Sequence, residues 1–195
     1  MKKKNLKKLL LAVCCAALLV CVSIGATVAY LTSTGTVENT FTVGNVNITL
    51  DETKVDLNGN AVTPAERSNG NRYKLLPGHT YTKDPTVHVT TGSEDCWLFV
   101  KVENGIANIE ATTNTITTQM TKDGNWTPVA GTQNVYAYKT IVSAGTDVTV
   151  FESFTIDGQA NVADYANAKI TVTAYAVQAD GFETAAAAWA AAPMA

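Results

Sequence analysis

Two histidines, His79 and His88, and a single cysteine outside an apolar leader, Cys96, are the most chemically versatile side chains of this sequence. Zinc catalysis needs three protein ligands and a structural zinc four, with histidines supplied from one helix or from paired strands. No His-Glu-x-x-His occurs: His79 follows the turn signal Pro77-Gly78, and His88 alternates with Val87 and Val89 and so points to the opposite face. No metal ligand set is therefore expected. Serines occur without a Gly-x-Ser-x-Gly elbow, so no acyl-transfer nucleophile is marked. Asp51-Glu52 with Asp56-Leu57-Asn58-Gly59-Asn60 has the look of a calcium loop, but its glycine falls at the fourth position instead of the sixth, which favours a solvated hairpin tip. Glycine-rich phosphate loops, basic aromatic stripes and metal-type cysteine clusters are absent, and no cofactor is expected. Cys96 precedes Trp97-Leu98-Phe99-Val100 and reads as a buried structural thiol that has no internal partner.

Charge and hydropathy divide the chain before any element is drawn. Lys2, Lys3, Lys4, Lys7 and Lys8 form a basic head, and Leu9 to Ala29 is an uncharged stretch of 21 residues. Such a length is long for a cleaved signal and sufficient for a membrane-spanning helix, so both fates are open. Thr27-Val28-Ala29 places small residues where a signal peptidase reads, and cleavage between Ala29 and Tyr30 is the favoured expectation over a retained anchor. Either outcome puts the domain outside the cytoplasm, secreted or at the cell surface, with the membrane as a partner only through the uncleaved segment. Cys21 follows Val20, which does not suit a lipoprotein acceptor. Removing the first 29 residues leaves nine basic residues against 17 acids, a net charge of −8 that argues against nucleic acid and anionic membranes as partners.

The remainder is rich in Thr, Val, Asn and Gly, and its pattern is that of strands. Phe41 and Val43 share one parity and Val46, Ile48 and Leu50 the other, so one strand with a bulge at Gly44-Asn45 is expected. Asn58-Gly59 predicts a type I′ hairpin turn, Thr63 to Asn71 a surface loop, and Pro77-Gly78 a type II turn. Strands are predicted over Thr86 to Thr90, Trp97 to Glu103, Val135 to Val142, Asp147 to Ile156 and Lys169 to Gln178. The Trp97 strand alternates in both registers, which predicts a central position. Lys122-Asp123-Gly124-Asn125 predicts a second hairpin turn, and Ile106 to Thr118 carries no clear period. Asn161 to Asn167 suggests a short helical crossing, and the Ala-rich tail from Glu183 a helical turn or two packed through Trp189.

The leader followed by AYLTSTGTVENTFTVGNVNITLDE (Ala29 to Glu52) resembles the export signal read by the SipW type of signal peptidase, and the chain beyond it resembles the TasA and camelysin group of secreted proteins. Leu75-Leu76-Pro77-Gly78, the strand at Trp97 to Val102, and Ile170 to Phe182 with Trp189 after it extend the resemblance. It implies a Gram-positive source, a jelly-roll-like antiparallel β-sandwich, a SipW-type signal peptidase as processing partner, and assembly into extracellular matrix fibres of a biofilm. The implied mechanism is insertion of the N-terminal arm of one subunit as a strand into the next copy, head to tail.

The layout expected is a signal peptide at 1–29, an arm at 30–40, an all-β sandwich at 41–182 and a tail at 183–195. Tyr30, Leu31, Thr34, Thr36 and Val37 belong to the arm, which has one charge, Glu38, and no proline. The leading expectation is a non-enzymatic fibre subunit. Its rivals are a monomeric adhesin or carbohydrate binder that stacks sugars on Trp97, Trp126, Tyr136 or Tyr138, and a camelysin-like metallopeptidase.

Overall fold

The computed structural model describes residues 44–192; the expected signal peptide, the expected cleavage point at Ala29–Tyr30 and the expected arm lie outside the described residues. Ten strands are formed among the described residues: β1 (Ile48–Thr53), β2 (Arg67–Ser68), β3 (Thr80–Thr82), β4 (Thr86–Val89), β5 (Cys96–Asn104), β6 (Trp126–Pro128), β7 (Val135–Tyr138), β8 (Asp147–Thr149), β9 (Ser153–Thr155) and β10 (Ile170–Gln178). Two short helices, α1 (Ile116–Thr121) and α2 (Ala185–Ala191), and three 3₁₀ turns complete them. Every pairing is antiparallel. One sheet has the order β2-β1-β4-β8, a second β10-β5-β7-β6, and β3 pairs with β9 in a two-stranded ribbon. The expected all-β antiparallel architecture is what forms.

Period-two alternation explains how the sheets face each other. Val87 and Val89 of β4, Val148 of β8, and Leu98, Val100 and Val102 of β5 meet in one core with Trp126, Phe151, Phe154 and Ile156. The opposite face of β5 carries Trp97 and Phe99, which form a second cluster with Val135, Ala137 and Ala188. β5 is thus apolar on both faces because it is covered on both, as its two alternating registers require. Its outer cover is α2, whose Trp189 ring lies 5.0 Å from Phe99 and 5.9 Å from Tyr175. Thr184 starts this helix, its hydroxyl oxygen accepting from the Ala187 N–H at 3.2 Å.

Several expectations change in detail. Val135 to Val142 is not one strand: β7 stops at Tyr138, and Val142 makes a separate bridge to Cys96. Asp147 to Ile156 also divides, because Val150 and Phe151 are adjacent and both buried, and the chain passes from β8, beside β4, to β9, beside β3. Asn58-Gly59 does not make a type I′ turn. The Gly59 N–H bonds the Asp56 carbonyl at 3.0 Å, and only Gly59, at φ +82°, is left-handed there, so the loop is one residue longer than a two-residue turn. Asp123 and Gly124 do take the paired positive φ of a type I′ turn, +56° and +66°, but they join α1 to β6 instead of two strands. Pro77-Gly78 turns as expected, with Gly78 at φ +76° and the His79 N–H on the Leu76 carbonyl. β1 begins at Ile48; Gly44 and Asn45 precede it, and the Asn45 carbonyl accepts from the Glu94 N–H at 3.0 Å. The expected bulge between Val43 and Val46 begins in residues outside those described.

Candidate functional site

The two histidines are engaged separately. His79 Nε2 lies 2.9 Å from the Asn58 carbonyl oxygen, and its ring meets Tyr81 edge-on at 4.5 Å. His88 lies on the outer face of the first sheet, with Nδ1 2.7 Å from Asp147 Oδ1 and Nε2 2.9 Å from Asp51 Oδ1. That placement follows from register. Val87 and Val89 point inward, which turns His88 outward beside Asp147 of β8 and diagonally across from Asp51 of β1. With a carboxylate at each ring nitrogen, both nitrogens must carry protons, so the site favours imidazolium. The hydrogen bond to Asp51, opposed by partial burial and reinforced by Asp147, holds the His88 pKa above its usual value. Burial works against ionisation of Asp51, yet hydrogen bonds and charge from His88 and Arg67 hold its carboxyl below the usual range.

Arg67 extends this row. Its guanidinium reaches Asp51 at 2.6 Å and Asp84 at 3.2 Å, and Asp84 accepts from the Thr53 N–H at 2.7 Å and the Thr53 hydroxyl at 2.8 Å. The row ties β1, β2, β4 and β8 together across their solvent face. Sequence reasoning read the stretch holding Arg67 as a plain loop. Its partners lie 16 and 17 positions away, and a two-residue strand carries no periodic signal.

Inside the sandwich, β1 breaks the apolar rule. Ile48, Leu50 and Glu52 share the inward face, and Glu52 is 4% exposed. Lys83, 8% exposed, meets it at 2.5 Å, and the Asn71 amide donates to Glu52 Oε1 at 2.9 Å and to the Thr53 carbonyl at 2.8 Å. Lys83 of this pair, though not Glu52, lines a slot of about 720 Å³. One wall is the segment from Asn71 to Leu75 and the other runs from Val162 to Thr171, into the start of β10. Tyr73, Phe154 and Tyr165 line it, together with Arg72, Lys74 and Lys169. Burial and the nearby Glu52 carboxylate push the Tyr73 phenol well above its usual range.

Side chains hold the Asn71–Leu75 wall in place. The Tyr81 hydroxyl donates to the Lys74 carbonyl and accepts from the Leu76 N–H, and Tyr73 donates to the Thr82 carbonyl. Asn71, Tyr73 and Leu75 are half-buried while Arg72 and Lys74 are exposed, the alternation of a strand, yet the segment joins no ladder among the described residues. β10 faces the same opening. Among the described residues it pairs with β5 alone, and its inward residues Ile170, Val172, Ala174 and Ala176 remain only half-buried. Val46, Ile48 and Leu50, on the inward face of the first sheet, are half-buried too. Among the described residues, the sandwich is open along β10.

The remaining expected positions resolve simply. Trp126 is 1% exposed and Trp97 9%, with the Trp97 indole N–H on the Phe182 carbonyl, so neither offers a ring to a sugar; Tyr136 and Tyr138 are half-buried against the core. Cys96 is fully buried, and burial with the neighbouring Asp95 charge pushes its thiol up to about 11. Asp56 spends its carboxylate on the Asn58 and Asn60 N–H groups of its own loop.

The described part is an antiparallel β-sandwich in which the long strand β10 lies at a sheet edge, with two histidines that do not meet. Residues 4–69, about a third of the chain, match the family model described as camelysin metallo-endopeptidase, and over that stretch the resemblance to the TasA and camelysin group is borne out. Comparison with curated proteins and with solved structures gives no match. The family's description points toward a peptidase. A catalytic zinc would need three convergent ligands. Among the described residues no group of three or more His, Cys, Asp or Glu is placed to hold a metal, and His88, the histidine nearest two acids, has them at opposite ring nitrogens. These residues do not fit a zinc centre.

Proposed function

We propose that the protein is a secreted structural subunit that polymerises head to tail, the arm at 30–40 of one copy completing the sandwich of the next, and that a SipW-type peptidase releases that arm by cutting after Ala29. The observation that carries this reading is the edge of β10, unpaired among the described residues, above a half-buried apolar face. An unpaired edge of nine residues is an aggregation hazard that natural sheets blunt or cover. A strand from a neighbour supplies the missing backbone hydrogen bonds and buries the inward face, and because donor and acceptor are different surfaces the contact repeats into an open filament. The family match over residues 4–69 supports the same reading, since it spans the leader and the arm.

Electron microscopy of the chain beginning at Tyr30, beside a chain lacking residues 30–40, tests it. Filaments are expected from the first and not the second; filaments from both would sink strand donation. The family's description supports a second reading, peptidase activity, which metal analysis and a protease assay with and without chelator address. Chelator-sensitive cleavage by the purified chain would favour that reading.

A further inference from the structure

Strand donation leaves open the direction in which the arm lies and the residues that set its register. The two ends of β10 differ in charge. At its start the slot is lined by Arg72, Lys74 and Lys169, none of which pairs with a carboxylate among the described residues, and no acid is among the lining residues; Asp164, in the same crossing, is not one of them. At its far end Asp180 lies two residues beyond Gln178, and Asp95 is joined to the chain there through the Ala179 N–H on its carbonyl at 2.8 Å. The arm has one charged residue, Glu38, near its C-terminal end.

Parity limits the registers. The inward positions of β10 are Ile170, Val172, Ala174 and Ala176, and directly opposed residues of paired strands share a face. Only registers that set Leu31 and Val37 opposite those positions bury the arm's aliphatic side chains. An antiparallel register of this kind puts Val37 opposite Ile170, Leu31 opposite Ala176 and Glu38 opposite Lys169, beside Arg72 and Lys74. A parallel arm with the same parity would carry Glu38 to the Asp95 and Asp180 end, roughly 25 Å away along a strand rising about 3.3 Å per residue.

Resting on the strand-donation reading, we propose that the arm of a second copy enters antiparallel to β10, with Glu38 against the cationic mouth formed by Arg72, Lys74 and Lys169 as the register-setting contact.

The experiment introduces cysteine pairs into the chain beginning at Tyr30, assembles it, and applies a short thiol-to-thiol cross-linker; the native Cys96, 0% exposed, does not compete. Glu38→Cys with Lys169→Cys is expected to give a ladder of covalent oligomers, and Glu38→Cys with Asp180→Cys none. The reverse pattern overturns the direction and leaves strand donation standing. Arm-dependent filaments in which neither pair links overturn β10 as the acceptor edge. Assembly that ignores the arm overturns the underlying reading together with this one. A charge swap gives a second readout: Glu38→Lys slows assembly several-fold at low salt, Lys169→Glu in the same chain restores it, and the effect shrinks as salt rises. A rate unchanged by Glu38→Lys at low salt would contradict the contact.

Discussion

At the scale of single residues, two charged groups with different surroundings predict different responses. Glu52 and Lys83 are buried together, so removing one partner leaves the other as an uncompensated interior charge. Lys83→Met should cost about 3–5 kcal/mol in urea unfolding, and Glu52→Leu added to it should return most of the loss, because the pair's attraction roughly balances its desolvation. His88 responds to pH. Its pKa is higher in the folded chain than unfolded, so its contribution to stability is complete below about pH 6.5 and is lost as pH rises through the raised value. Asp51 works in the opposite sense: its contribution is present above its ordinary pKa and is lost as pH falls through the depressed one. Unfolding midpoints between pH 6 and 9 should therefore decline for the native chain and flatten in His88→Gln. A decline of equal slope in both would remove His88 as its source. The row could not be read from sequence, since Asp51, His88 and Asp147 are brought together only by the register of three strands.

Among the elements, legibility followed periodicity. β4, β5 and β10 are readable because each is an unbroken run rich in strand-forming residues, with alternation in the first half of β10 and two apolar registers in β5 that mark its central position. β8 and β9 were merged because strand propensity continues through Val150-Phe151 while the chain changes partner there, a tertiary event without a local mark. The slot was missed because its wall at Asn71–Leu75 is held by the hydroxyls of Tyr73 and Tyr81 and the amide of Asn71, which belong to long-range contacts. At Gly59 the sequence marks the turn but not its type, because a two-residue and a three-residue loop both place glycine there. Its φ of +82° and the 2.9 Å between a built Cβ and the Tyr81 Cα predict that Gly59→Ala destabilises by about 1–3 kcal/mol in thermal or urea unfolding. The seven-residue α2 is too short to persist alone and depends on its docking. Trp189→Ala should cost about 2 kcal/mol, below the 3–5 typical of a fully buried aromatic, and should free the amides of 185–191 to exchange at the rate of an unfolded segment. Retained protection there would show that Trp189 is not the anchor.

For the whole molecule, the proposal of assembly rests on one long strand that, among the described residues, has no neighbour on its outer side. The central claim is that this side is completed by another copy. Hydrogen exchange over residues 169–178, compared between monomer and assembled protein, tests it most directly. β5 protects one side of β10 in both states, so the account predicts that the outward-directed amides, roughly half of the strand, exchange readily in the monomer and become protected in the assembly. Equal exchange across β10 in the two states would contradict strand donation at this edge.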